Sequence, residues 1–115
     1  METSAAVEAL AALAQETRLE AFRLLVRAGP GGLPAGAIAE QVDIPAPTLS
    51  FHLKELRSAG LVAAERQGRS IVYRADYEAM QRLLGFLTEQ CCRGIQTVSA
   101  AGCSAPAPAT RGRTP

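Results

Sequence analysis

Pro45-Ala46-Pro47-Thr48-Leu49-Ser50-Phe51-His52-Leu53-Lys54-Glu55-Leu56-Arg57 is the stretch whose reading decides the fold of this 115-residue chain. Wound as a helix, it brings Leu49, Leu53 and Leu56 onto one narrow apolar stripe, because residues four and seven positions on return to the same face. Thr48, Ser50, Phe51 and Lys54 then project from the other side. One face packs and the other is left to meet something outside. Prolines at 45 and 47 suit a first turn, where the missing N–H has no helical partner to lose, and Gly60 stands where a left-handed stop is wanted. The predicted helix is about four turns long.

Upstream, Pro34 opens a shorter helix with Ile38, Ala39 and Val42 inward, and Asp43-Ile44-Pro45 makes a tight corner between the two. Two short helices around such a corner, the second polar near its start, form a helix-turn-helix arrangement. Before them, Thr3 or Ser4 is suited to cap a first helix with Val7, Leu10, Leu13 and Ala14 as its apolar face. A second helix begins near Glu16 or Thr17, turns Leu19, Phe22, Leu25 and Val26 inward, and stops at Gly29-Pro30-Gly31-Gly32, which reads as a flexible loop.

Downstream, Leu61–Arg66 and Ser70–Arg74 are strand-like, and Gln67-Gly68-Arg69 between them is a hairpin turn. A basic hairpin directly after such a helix is a wing. Asp76 caps a last helix through Tyr77, Met80, Leu83, Leu84 and Leu87, expected to end around Cys92 or Gly94. The fold class is therefore mainly α with a small β-hairpin, divided into a folded domain over 1–93 and a flexible tail over 94–115 that carries Cys103.

Net charge is only +1, so the field of the whole molecule announces no polyanionic partner. Placement says more: between Lys54 and Arg74, five basic residues (Lys54, Arg57, Arg66, Arg69, Arg74) face two acidic ones (Glu55, Glu65). The N-terminus carries Glu2 and Glu8 instead of a basic cluster followed by an apolar core, and no stretch is apolar enough to span a bilayer, so a cytoplasmic protein without a membrane partner is expected. There, three cysteines are more readily thiols or metal ligands than disulfides.

Gln15-Glu16-Thr17-Arg18-Leu19, the run from Pro47 to Leu56, Ala59-Gly60-Leu61-Val62 and Arg66-Gln67-Gly68-Arg69 together resemble the ArsR/SmtB family of bacterial metalloregulatory repressors, over roughly residues 5 to 92. The resemblance implies a winged helix-turn-helix homodimer, paired through its first and last helices, that binds double-stranded operator DNA and is released by an inducer ion. Thr48 and Ser50 are then placed to bond base edges or phosphates, Phe51 to lie against a thymine methyl, and Lys54 and Arg57 to neutralise phosphates. His52 flanks the leucine stripe, where half-buried packing fits as readily as DNA contact. Arg66 and Arg69 belong to phosphate or minor-groove contacts from the wing.

The inducer sites usual in the family are missing here. No cysteine lies between Ile38 and Ile44, where one arsenic and cadmium site of the family has a Cys-x-Cys pair, and the last helix offers Asp76, Glu78 and Glu89 but no histidine. Cys91, Cys92 and Cys103 remain. Thiolates suit trivalent arsenic or antimony, which favour three sulfurs, and the expected function is a repressor released by arsenite, antimonite or an organoarsenical on these cysteines. The alternative is a sensor of thiol oxidation or of another soft metal on the same scaffold. Catalysis is not expected: a Cys-x5-Arg loop would need arginine where Thr97 and Val98 stand, and one histidine with no clustered carboxylates gives no acid–base machinery.

Overall fold

The computed structural model describes residues 1–95, and Cys103 lies outside them. Five helices and three strands follow in the order α1 (Thr3–Leu13), α2 (Glu16–Ala28), β1 (Leu33–Pro34), α3 (Ala35–Val42), α4 (Ala46–Ser58), β2 (Val62–Gln67), β3 (Ser70–Ala75) and α5 (Tyr77–Leu87). The sheet is antiparallel with β3 in the middle, flanked by β1 and β2. This is a winged helix-turn-helix, with α3 and α4 as the helix pair and β2–β3 as the wing.

The leucine stripe of α4 is the centre of the core. Leu49, Leu53 and Leu56 are all but fully buried, together with Leu25 of α2, Ile38 of α3 and Leu61. Pro45 occupies the N-cap position of α4, and Gly60 (φ 79°) takes the left-handed conformation after it, as the sequence implies. The corner before α4 is made by Asp43 at φ 57°, a conformation Asp tolerates better than most residues, with the Ile44 N–H donating to the Ala39 carbonyl at 3.3 Å.

Several expectations change. α1 starts at Thr3 with Glu2 at its N-cap and no capping side chain, so neither Thr3 nor Ser4 serves as cap. The face α1 buries is Ala6, Ala9 and Ala12, while Val7 and Leu10 point outward. Alanines let the helix axis approach α2, α4 and α5 closely, and the larger side chains are left on the far side. In α2, Gln15 is the cap, its side chain accepting from the Arg18 N–H at 2.8 Å, and Leu19 is exposed while Ala21 takes its place in the core.

The segment after α2 is pinned. Leu33 and Pro34 form β1 against Tyr73 and Val72, extending the expected hairpin to three strands, and proline is acceptable there because β1 is an edge. Gly32 (φ 71°) backs onto β3 so closely that a Cβ would run into the Tyr73 carbonyl oxygen. Gly32→Ala is therefore expected to cost about 1–3 kcal/mol in urea unfolding, whereas Gly31→Ala, with open space around it, should leave the midpoint nearly unchanged. Tyr77 joins the same region from α5, its hydroxyl donating to the Val26 carbonyl at 3.1 Å, one of the acceptors that the end of α2 leaves without a helical partner.

Asp76 caps α5 as expected, accepting from the Ala79 N–H at 3.0 Å. The helix nevertheless ends at Leu87, short of Cys92. Thr88 turns its hydroxyl back onto the Leu84 carbonyl at 2.9 Å, and Glu89 brings negative charge to a helix C-terminus that disfavours it. Turns follow, with Gln90, Cys92 and Gly94 all at positive φ. None of the described helices is long and apolar enough to cross a membrane.

Candidate nucleic-acid interface and thiol site

Burying Leu49, Leu53 and Leu56 fixes which side of α4 faces away from the domain. Thr48, Ser50, Phe51, Lys54 and Arg57 are exposed there, and His52 is half-buried at the border. Ser58 carries this outer surface to the end of the helix, where Lys54 and Arg57 overlook a polar cleft shared with Val62, Ala63 and Ala64 of the wing. The end of β2 and the turn after it then present Arg66 and Arg69, both exposed. Helix, cleft and wing thus put four cations on one side of the domain, and among the described residues none of the four is paired with a carboxylate.

Arg74 differs from them. Its guanidinium donates to the Glu65 carboxylate at 2.6 Å across the wing and to the Pro30 carbonyl at 3.1 Å. It braces the wing against the loop after α2, which explains a basic residue in the hairpin that is not left open for a partner. The hydrogen bond and charge of Arg74 hold the Glu65 carboxyl below its usual range. A depressed folded-state pKa means that the pair's contribution is present above the unfolded value and is lost as pH falls through the folded one. Glu65→Gln should accordingly flatten a small acid-side decline in stability, measured by urea unfolding between neutral and acidic pH. The exposed position of the pair keeps that effect small.

His52 has a partner that the sequence did not suggest. Arg18, at the start of α2, extends its guanidinium to within 3.3 Å of His52 Nδ1 and donates from Nε to the Ala12 carbonyl at the end of α1 at 2.6 Å. The two residues are separated by 34 positions, and no spacing rule connects them. On its other side the His52 ring meets Phe51 edge to face, centroids 5.6 Å apart.

Cys91 and Cys92 lie in the turns beyond α5, both exposed. Their sulfurs are 3.0 Å apart. On a continuing helix adjacent side chains diverge by about 100°; here the positive φ of Cys92 swings its side chain back beside that of Cys91. Two sulfurs bound to one ion at about 2.3 Å each lie roughly 3–4 Å apart, so the pair has the spacing of a chelate. Yet among the described residues only Cys91 is a free thiol, and Cys92 is held in a disulfide, which corrects the expectation of thiols at both positions. Among the described residues no group of three or more Cys, His, Asp or Glu is gathered to hold a metal ion, and the third expected donor, Cys103, lies outside them.

Residues 13–64 match a helix-turn-helix domain family. The transcriptional regulator KmtR of Mycobacterium tuberculosis is 37 % identical over 78 residues, which cover 68 % of this chain and 58 % of that protein. The chain thus spans a little over half the length of this curated relative. A solution structure from Mycobacterium bovis, described as a homodimeric winged helix-turn-helix DNA-binding domain of a possible ArsR-family regulator, superposes with a TM-score of 0.62 at 32 % identity, over 74 % of this chain and 76 % of that one. HlyU from Vibrio cholerae gives 0.60 at 30 % identity, over 76 % and 97 %. With the α3–α4 pair, the wing and these likenesses in agreement, the chain belongs to the ArsR/SmtB family of winged helix-turn-helix transcriptional regulators.

Proposed function

We propose that the protein is a homodimeric transcriptional repressor that binds double-stranded operator DNA and leaves it when trivalent arsenic binds the thiolates of Cys91 and Cys92, with Cys103 as a third donor. The observation that carries the inducer reading is the 3.0 Å separation of the Cys91 and Cys92 sulfurs, which suits a soft, thiophilic ion better than a hard one once the disulfide that holds Cys92 is reduced. Antimonite and organoarsenicals belong to the same class of ligand. An organoarsenical with one carbon on arsenic needs only two thiolates, so Cys103→Ser separates it from arsenite. A cytoplasmic location is part of this reading.

Support for DNA binding comes from the exposed row Thr48, Ser50, Phe51, Lys54 and Arg57 and from Arg66 and Arg69 beside it, with His52 at the margin. Support for a homodimer comes from α1 and α5, which expose Val7, Leu10, Leu84 and Leu87. Each subunit then offers one α4 to a half-site, the two lying about one turn of DNA apart.

The test is a fluorescence anisotropy titration of operator DNA with arsenite, antimonite, cadmium, zinc and hydrogen peroxide in turn. Release by arsenite and not by zinc is expected; a complex indifferent to arsenite sinks the inducer assignment. Lys54→Gln and Arg57→Gln should each weaken binding to all duplexes alike and lower the slope of log K against log salt by about one. A slope left unchanged removes those side chains from the phosphate contacts.

The disulfide that holds Cys92 favours a second reading, in which peroxide takes two electrons from two cysteine thiols and leaves as two waters while a disulfide forms. One solved structure similar to this chain, at 30 % identity and a TM-score of 0.59, is described as reduced HlyU. Release by peroxide in the absence of arsenite decides for this reading.

A further inference from the structure

Phe51 stands out among the exposed apolar side chains. Val7, Leu10, Leu19, Leu84 and Leu87 lie on α1, α2 and α5, whereas Phe51 is 55 % exposed on the outer face of α4, between Ser50 and Lys54. A phenyl ring left in water there gains nothing for the domain. Nor is it loose: its ring meets that of His52 at an interplanar angle of 66° with the centroids 5.6 Å apart, an edge-to-face contact of ordinary geometry. His52 is held in turn by the Arg18 guanidinium at 3.3 Å from Nδ1. Because a guanidinium only donates, Nδ1 must accept, which places the proton of the neutral ring on Nε2. Arg18 is itself fixed by the 2.6 Å hydrogen bond from Nε to the Ala12 carbonyl. A chain of three contacts thus runs from the end of α1 to the outer surface of α4 and presets the direction of one apolar side chain.

From this we infer that Phe51 is a braced reader of a thymine methyl group, with His52 and Arg18 as positioning residues, so that the operator carries a thymine at one fixed place in each half-site. The inference deepens the DNA-binding proposal above and rests on it. In the major groove the methyl at C5 of thymine is the apolar group a base pair offers, while the other edges present donors and acceptors that a phenyl ring leaves unpaired. Thr48, Ser50 and Lys54 flank the ring with hydroxyls and a cation, so discrimination by shape and apolarity at this place falls to Phe51. Bracing contributes because a side chain already held in its binding direction loses less freedom when it meets the groove.

Duplexes enriched by the full-length protein from a random pool provide the probe. Each thymine of the enriched half-site is replaced in turn by deoxyuridine, which removes the methyl and leaves the Watson–Crick pairing unchanged, and affinity is measured by anisotropy at constant salt. At one thymine per half-site the loss of the methyl should weaken binding by the unsubstituted protein about fourfold. Phe51→Ala should bind both duplexes equally. Lys54→Gln should bind both more weakly while keeping the ratio, and His52→Ala should narrow the ratio by more than it lowers the affinity for the deoxyuridine duplex, a pattern that general loosening of α4 does not produce. The inference is overturned if no thymine is sensitive, or if Phe51→Ala retains the full ratio. A pool from which nothing is enriched overturns the DNA-binding proposal first, and this inference with it.

Discussion

Protein with Cys92→Ser is expected to stay on its operator at arsenite concentrations that release the unsubstituted protein. Serine keeps the size and the turn but replaces a soft thiolate by a hydroxyl that a thiophilic ion binds poorly. The two sulfurs stand 3.0 Å apart in turns that have already left the helix. Once the disulfide that holds Cys92 is reduced, no helical turn has to unwind before both reach one ion, contrary to what helix continuation to Cys92 would demand. Coupling in this class of switch amounts to about 1–3 kcal/mol, so release corresponds to a loss of operator affinity of roughly five- to a hundredfold, and the serine variant should lose nearly all of it. Anisotropy titrations of both proteins, with arsenic bound per subunit measured on the same samples, check the prediction. A Cys92→Ser protein that binds arsenite and lets go of DNA like its parent removes the thiol pair from the mechanism.

The second large effect is on stability. Leu53→Ala should lower the unfolding free energy by about 2–5 kcal/mol, because Leu53 is fully buried at the middle of the α4 stripe, between Leu49 and Leu56. The neighbouring Lys54→Ala removes an exposed side chain and should change stability by less than about 0.5 kcal/mol. Circular dichroism melts separate the two, with a fall of roughly 10–25 °C expected for the leucine variant alone. A Leu53→Ala melt within a few degrees of the unsubstituted protein means that α4 is not held as described. The same pair of variants separates reading from folding, since Lys54→Ala should weaken DNA binding with its melt intact.

Much of this architecture was legible because the informative patterns are local. The period of Leu49, Leu53 and Leu56, the paired prolines before them, Gly60 after them and the turn at Gly68 all act within a few residues, and each appears where its own chemistry requires. What stayed hidden depends on neighbours distant in sequence. Whether Val7 or Ala6 faces inward cannot be read from α1 itself, because close approach to α2, α4 and α5 selects the alanines. β1 is two residues long, too short for any alternation, and exists because β3 offers it an edge. The Arg18–His52 contact belongs to the same class, as does the clamp of Arg74 on Glu65 and Pro30. At the other end, α5 stops at Leu87, where the Thr88 hydroxyl and its own N–H share the Leu84 carbonyl, and hydrophobic spacing carries no mark of that stop.

Pairing β1 with β3 gives the domain a stiffness that bears on regulation. The strand ties the loop ahead of α3 to the centre of the wing, Arg74 rivets that loop to the same hairpin, and Tyr77 anchors α5 to the end of α2. Groove helix and wing therefore travel together as one solid body. In the proposed two-fold assembly of such bodies, an inducer bound beyond α5 as proposed would have little to bend within either half, and what remains adjustable is the angle at which the two halves straddle the duplex.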